Sequence, residues 1–183
     1  MERKRISRRL PHWDYSQNGL YFVTFCTHAR TPLLGTVESA PDPTGLNARF
    51  NASDLGLVCM DVPGSVQERY PHASIVKLTV MPDHVHALIA LNGIEDGDVA
   101  DLGSIIFSFK KKVTVQARHL GFQGKLWQAN YYDHIVRNEP DVLRIMKYME
   151  ENPLKWALGK HDAQEEVSAS FLDSKFLDIK IRG

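Results

Sequence analysis

A chain of 183 residues that is 43% hydrophobic, with 22 basic and 22 acidic side chains, has the make-up of one globular domain with room for an insertion or a tail. That composition excludes a disordered chain, no run is long enough to suggest a transmembrane helix, and the net charge names no partner. Cys26 and Cys59 lie far apart outside any C-x-x-C pattern, which argues against a zinc site or a disulfide framework and fits a reducing, cytosolic compartment.

Residues 1–18 read as a basic arm with Arg3, Lys4, Arg5, Arg8 and Arg9, turning at Asn18-Gly19. Pro11 to Tyr15 interrupt it before any apolar stretch of signal-peptide type, so none is expected. Leu20 to Thr27 are β-branched and aromatic, bounded by turn formers, and predict a central strand. Short strands around Leu33–Val37 and Leu46–Asn51 flank a Pro/Gly loop and predict a hairpin insertion over 35–50. Asn51 or Ser53 then caps a helix carrying Leu55, Val58, Cys59, Val62, Val66 and Tyr70, with a kink or break expected at Pro63-Gly64.

Ala73–Met81 predicts a strand with Val76, Leu78 and Val80 on one face and Ile75, Lys77 and Thr79 on the other. Met81-Pro82-Asp83 turns the chain, and Val85–Leu91 runs back beside it. Leu102, Ile105, Ile106, Phe109, Val113 and Ala117 predict a long amphipathic helix over 101–120, with Lys110, Lys111 and Lys112 on its polar side. An aromatic and polar stretch from Leu126 ends in a short strand near Arg137. Asn138 caps a last helix from Glu139, with Pro140 in its first turn and Asn152-Pro153 as its expected end. The order predicts an α+β fold: a ferredoxin-like βαββαβ antiparallel sheet with helices on one face, plus a C-terminal helix. The domain is expected over 19–158, followed by a charged tail over 159–183.

Two features carry chemistry. His84 and His86 alternate on a strand, so their side chains share a face about 7 Å apart along the chain, a span that one metal ion bridges. Tyr148 and Asn152 are four apart on the last helix and share one of its faces. Taken singly, each has an ordinary explanation: a packing histidine pair, a packing tyrosine, a helix terminator. Together they suggest a divalent metal held by two imidazoles and an amide oxygen against a phosphate, with the phenol as nucleophile.

His84-Val85-His86 resembles the His-hydrophobic-His signature of HUH single-strand nucleases. With Pro82-Asp83, Trp127-Gln128, Tyr131-Tyr132-Asp133-His134, Arg137-Asn138 and Tyr148-x-x-x-Asn152-Pro153, the chain resembles the REP-associated tyrosine transposases over most of residues 20–156. The resemblance implies Mg2+ or Mn2+ bound by His84, His86 and Asn152, a tyrosine nucleophile at Tyr148, and cleavage of single-stranded DNA beside hairpins through a 5′-phosphotyrosine link with a free 3′-OH. Asn152 stands where relatives often have Gln, which keeps an amide oxygen at shorter reach. Arg3, Arg5, Lys110 and Lys111 are the candidate phosphate contacts, and exposed aromatics would stack on unpaired bases. A monomer and a homodimer with exchanged tyrosine helices are both compatible with these motifs. The competing readings are a hairpin-binding protein that does not use the site, and a hydrolase whose metal activates water while Tyr148 positions phosphate.

Overall fold

The computed structural model describes residues 13–40, 47–92 and 100–159, so Arg3, Arg5, most of the basic arm and the tail beyond 159 lie outside the described residues. The elements are β1 (Gly19–Cys26), β2 (Gly35–Ala40), β3 (Asn47–Ala52), α1 (Asp54–Arg69), β4 (Ala73–Met81), β5 (His84–Leu91), α2 (Leu102–His119), β6 (Tyr132–Val136) and α3 (Glu139–Ala157). Strands β4, β5, β1 and β6 form one sheet in that order, and every neighbouring pair is antiparallel. This is the interleaved order expected of a βαββαβ unit, while β2 and β3 pair separately as the predicted hairpin.

Alternation along β1 and β5 sorts their side chains between two cores. Tyr21, Val23, Phe25, Val85, Ala87, Ile89 and Leu91 face α1 and α2, joining Cys59, Val62, Val66 and the six predicted apolar residues of α2. Phe22 and Leu88 face the other way and pack with Ile145, Tyr148 and Met149 of α3. The sheet is therefore a sandwich filling, and the face that carries His84 and His86 is the one α3 covers.

Each helix begins where a side chain satisfies an orphan amide. Ser53 accepts from the Gly56 N–H at 3.2 Å, Asp101 from Ser104 at 2.7 Å, and Asn138 from Asp141 at 3.0 Å. Two helix boundaries differ from expectation. No break occurs at Pro63-Gly64, because α1 is one helix whose buried residues on both sides of Pro63 sit in the same core. Asn152-Pro153 does not end α3, which continues to Ala157. Pro153 has no N–H for the Met149 carbonyl, and the Thr79 hydroxyl of β4 lies 3.5 Å from that oxygen as a long replacement donor.

The strict alternation expected for β4 also fails. The register slips between Ile75 and Lys77, a bulge that leaves Val76 54% exposed. Ile75 consequently joins Leu78 and Val80 at the α1/α2 core. Lys77 meets Glu150 of α3 at 2.5 Å, so the edge strand is tied to the helix on the opposite face.

Candidate active site

His84 and His86 open β5 and are completely buried. Their Nε2 atoms lie 3.0 Å apart, and each Nδ1 is engaged elsewhere. His84 Nδ1 lies 2.5 Å from Asp83 Oδ1, which fits an N–H donated to a carboxylate. His86 Nδ1 lies 2.7 Å from the hydroxyl of Thr24, its direct cross-strand partner on β1. The Asp83 carboxylate places the His84 proton on Nδ1, the Thr24 hydroxyl engages His86 Nδ1, and the two Nε2 atoms converge on one point.

Burial keeps both rings neutral. It lowers the His84 pKa despite the opposing Asp83 carboxylate, and lowers that of His86 well below the ordinary value, with the Arg30 charge adding to the effect. Neutral imidazole is the ligating form. Asp83 stays ionised: burial would raise its pKa, but the His84 hydrogen bond and the Arg30 guanidinium at 3.3 Å outweigh it.

Helix α3 brings two further groups from the same chain. The Asn152 side chain is buried, and its Nδ2 lies 3.2 Å from His86 Nε2; rotating the amide by half a turn presents Oδ1 there instead. Tyr148 is 8% exposed, its ring centroid is 5.2 Å from that of His86, and Phe22 packs edge-on against it at 6.0 Å. Lys155, two turns along α3, holds its ammonium 5.0 Å above the Tyr148 ring. Trp156 stands 6.1 Å from the His84 ring.

The donor set fits a divalent cation. Metal–imidazole bonds of about 2.0–2.1 Å at roughly tetrahedral or octahedral angles set two nitrogens about 3 Å apart, the separation His84 and His86 already have. Two nitrogens and one amide oxygen leave room for phosphate and water oxygens. Among the described residues no group of three or more His, Cys, Asp or Glu side chains is placed to hold a metal, so any third protein donor beside the two imidazoles would have to be of another type, such as the Asn152 amide.

The predicted site residues thus separate. His84, His86, Tyr148 and Asn152 come together. Lys110 and Lys111 lie elsewhere, on α2 over the opposite face of the sheet. Lys110 turns inward, donating to the carbonyls of Gln128 at 3.0 Å and Asn130 at 3.1 Å, whereas Lys111 is exposed. Thr24, Arg30 and the role of Asp83 were not foreseen. Asp83 adjoins His84 in sequence, which is a usable signal, but Thr24 becomes visible only through the β1–β5 register.

No family model matches the chain. An uncharacterised protein of Haemophilus influenzae is 30% identical over 169 residues, covering 83% of this chain and 89% of that protein. A second Haemophilus influenzae protein, named "Putative REP-associated tyrosine transposase", is 22% identical over 148 residues, or 78% of this chain and 74% of its own. The fold is similar, with a TM-score of 0.56 and 21% identity, to the solved structure of a REP-associated tyrosine transposase bound to a REP hairpin, over 80% of this chain and 73% of that one. In its ordered motifs and in its antiparallel sheet covered by the helix that bears Tyr148, the chain is similar to the REP-associated tyrosine transposases.

Proposed function

We propose that this protein is a metal-dependent single-stranded DNA endonuclease and strand-transferase acting beside hairpins through a covalent tyrosine intermediate. The supporting observation is the convergence, within one chain, of two neutral imidazole Nε2 atoms, the Asn152 amide and the Tyr148 ring at one end of β5. A Mg2+ or Mn2+ ion bound there would polarise the scissile phosphate as a Lewis acid.

His84, His86 and the rotated Asn152 amide are the protein ligands. Tyr148 Oη attacks phosphorus and forms a new O–P bond, while the bond from phosphorus to the 3′ oxygen breaks and that oxygen leaves, taking a proton from water. The products are a 5′-phosphotyrosine and a free 3′-OH. A phenol has a pKa of about 10, so its proton must be made easier to lose. The Lys155 ammonium over the ring stabilises the phenolate as the proton passes to solvent, and it also meets the approaching phosphate. Attack by another 3′-OH on the phosphotyrosine reverses the step and restores Tyr148, which is strand transfer.

A hairpin-bearing partner is supported by the structural relative, whose DNA is a REP hairpin. The test uses hairpin oligonucleotides with single-stranded flanks taken from the DNA around the gene, incubated with Mg2+ or Mn2+. A protein–DNA band that survives denaturation is expected, and it should vanish with chelator and in Tyr148→Phe. Hairpin binding with no such band under either metal would favour a binding protein. Turnover without an adduct that tolerates Tyr148→Phe would favour a water-activating hydrolase.

A further inference from the structure

We propose that Arg30 is a positioning residue for the metal ligand His84, acting through Asp83 from a strained left-handed turn. This rests on the metal-site reading above and assigns part of that site to a segment far from it in sequence. Asp83 divides its two carboxylate oxygens between two partners: Oδ1 lies 2.5 Å from His84 Nδ1, and Oδ2 lies 3.3 Å from the Arg30 guanidinium. A carboxylate held on one side only can swing about its last bond. Held on both, it fixes the plane of the imidazole and aims Nε2 at His86.

The backbone that presents Arg30 is costly. Ala29 and Arg30 both have φ of 54°, a region that side chains with a Cβ rarely adopt. Neither is the Gly or Asn that would make such a turn easy. It persists because its flanks are laced to the Pro82–Asp83 turn and its surroundings. The Thr27 N–H donates to the Asp83 carbonyl at 2.9 Å, and the Leu34 N–H to the Pro82 carbonyl at 2.9 Å. The Thr27 hydroxyl shares its proton between the carbonyl oxygens of Thr31 at 2.7 Å and Asp83 at 3.0 Å, and the His28 N–H reaches the Leu126 carbonyl at 2.8 Å.

Fold stability does not account for this strain. The Arg30 side chain is 29% exposed, and a single ion pair of that exposure contributes little to folding. Strained backbone beside a functional cluster is the pattern of a site that keeps strain for geometry. A partner that orients a ligating histidine is worth about 10–100-fold in metal affinity.

Arg30→Gly separates the two roles, since it removes the guanidinium while suiting the left-handed backbone. The full chain is compared with Ala29→Gly and Arg30→Lys by thermal unfolding, by ring 15N–1H spectra of His84 without metal, and by Mn2+ titration. In Arg30→Gly the unfolding midpoint should hold or rise, the His84 Nδ1–H signal should move or exchange faster, and Mn2+ affinity should fall about 10–100-fold. Ala29→Gly should raise the midpoint and leave His84 unchanged. Arg30→Lys, which keeps charge without the planar fork, should fall between. An Arg30→Gly protein whose His84 signals match wild type overturns the proposal, whatever its midpoint does. If Mn2+ fails to broaden the His84 and His86 ring signals of the wild type, the metal reading fails, and the metal-free spectra still decide whether Arg30 positions His84.

Discussion

Thr24 on β1 and His86 on β5 are direct cross-strand partners, and the Thr24 hydroxyl lies 2.7 Å from His86 Nδ1 inside the sheet. That contact engages His86 Nδ1 and fixes the plane of the ring. Thr24→Val keeps the shape and removes the partner, leaving a buried ring nitrogen without a hydrogen bond at a cost of about 1–3 kcal/mol. Mn2+ affinity should fall by about 10–100-fold. Denaturant unfolding and Mn2+ titration of the same protein check both. Unchanged Mn2+ affinity would mean that the hydroxyl has no part in aiming the ring.

Lys110 and Lys111 are neighbours with different environments. Burial lowers the Lys110 pKa from the ordinary 10.5 to about 8, and its nitrogen is committed to two carbonyls. Between pH 8 and about 10.4 the unfolded chain binds more protons at this residue than the folded one, so this group adds stability as pH rises through that window. Wild type should gain stability relative to Lys110→Met over that range, measured by urea unfolding. Lys111→Ala should instead reduce the salt dependence of DNA binding by about one unit of slope, while Lys110→Met should not.

Asp141 anchors the start of α3. It accepts from His134 Nε2 at 2.7 Å and from Arg144, and these bonds hold its pKa below the ordinary carboxylate range against the opposing effect of burial. Its folded-state pKa is depressed, so its contribution is complete above the unfolded value near 3.9 and is lost as pH falls through the lower folded value. Burial lowers the His134 pKa more than Asp141 raises it, so that group begins to cost stability already as pH drops through about 6.5. Asp141→Asn should destabilise by about 1–3 kcal/mol at neutral pH, and the gap to wild type should begin to close as pH falls below about 3.9. A gap that stays constant with pH would exclude this ionic role.

Gly56 lies in the first turn of α1, where alanine is ordinarily the better helix former by about 1 kcal/mol. Here a Cβ would stand 2.0 Å from the Leu34 carbonyl oxygen, the same oxygen that accepts from the Ser53 N–H. Gly56→Ala should therefore destabilise by about 1–3 kcal/mol instead of stabilising. Thermal unfolding gives the sign.

Much of the fold was legible because long local patterns agree with tertiary burial. The six apolar positions of α2 are all buried, and the β5 alternation that put His84 and His86 on one face also faces them to α3. Local rules misled where a distant group compensates or a strand slips. Pro153 reads as a terminator, yet Thr79 from another element supplies a donor to Met149. Val76 reads as a core residue, yet the bulge turns it outward. Lys110 reads as one of three solvated lysines, and only the loop bearing Gln128 and Asn130 reveals its use. Ala29-Arg30 carries no sequence sign of a left-handed turn, so the Arg30–Asp83–His84 chain was invisible until the loop over 27–34 met the Pro82–Asp83 turn.

The proposed chemistry turns on Tyr148 as the nucleophile beside the His84/His86 pair. Tandem mass spectrometry of the protease-digested protein–DNA adduct tests it most directly. The expected products are a 5′-phosphate of DNA esterified to Tyr148 and a released strand ending in 3′-OH, with no modified peptide when metal is chelated. A DNA linkage at another residue, or metal-dependent cleavage that never modifies the Tyr148 peptide, would contradict it.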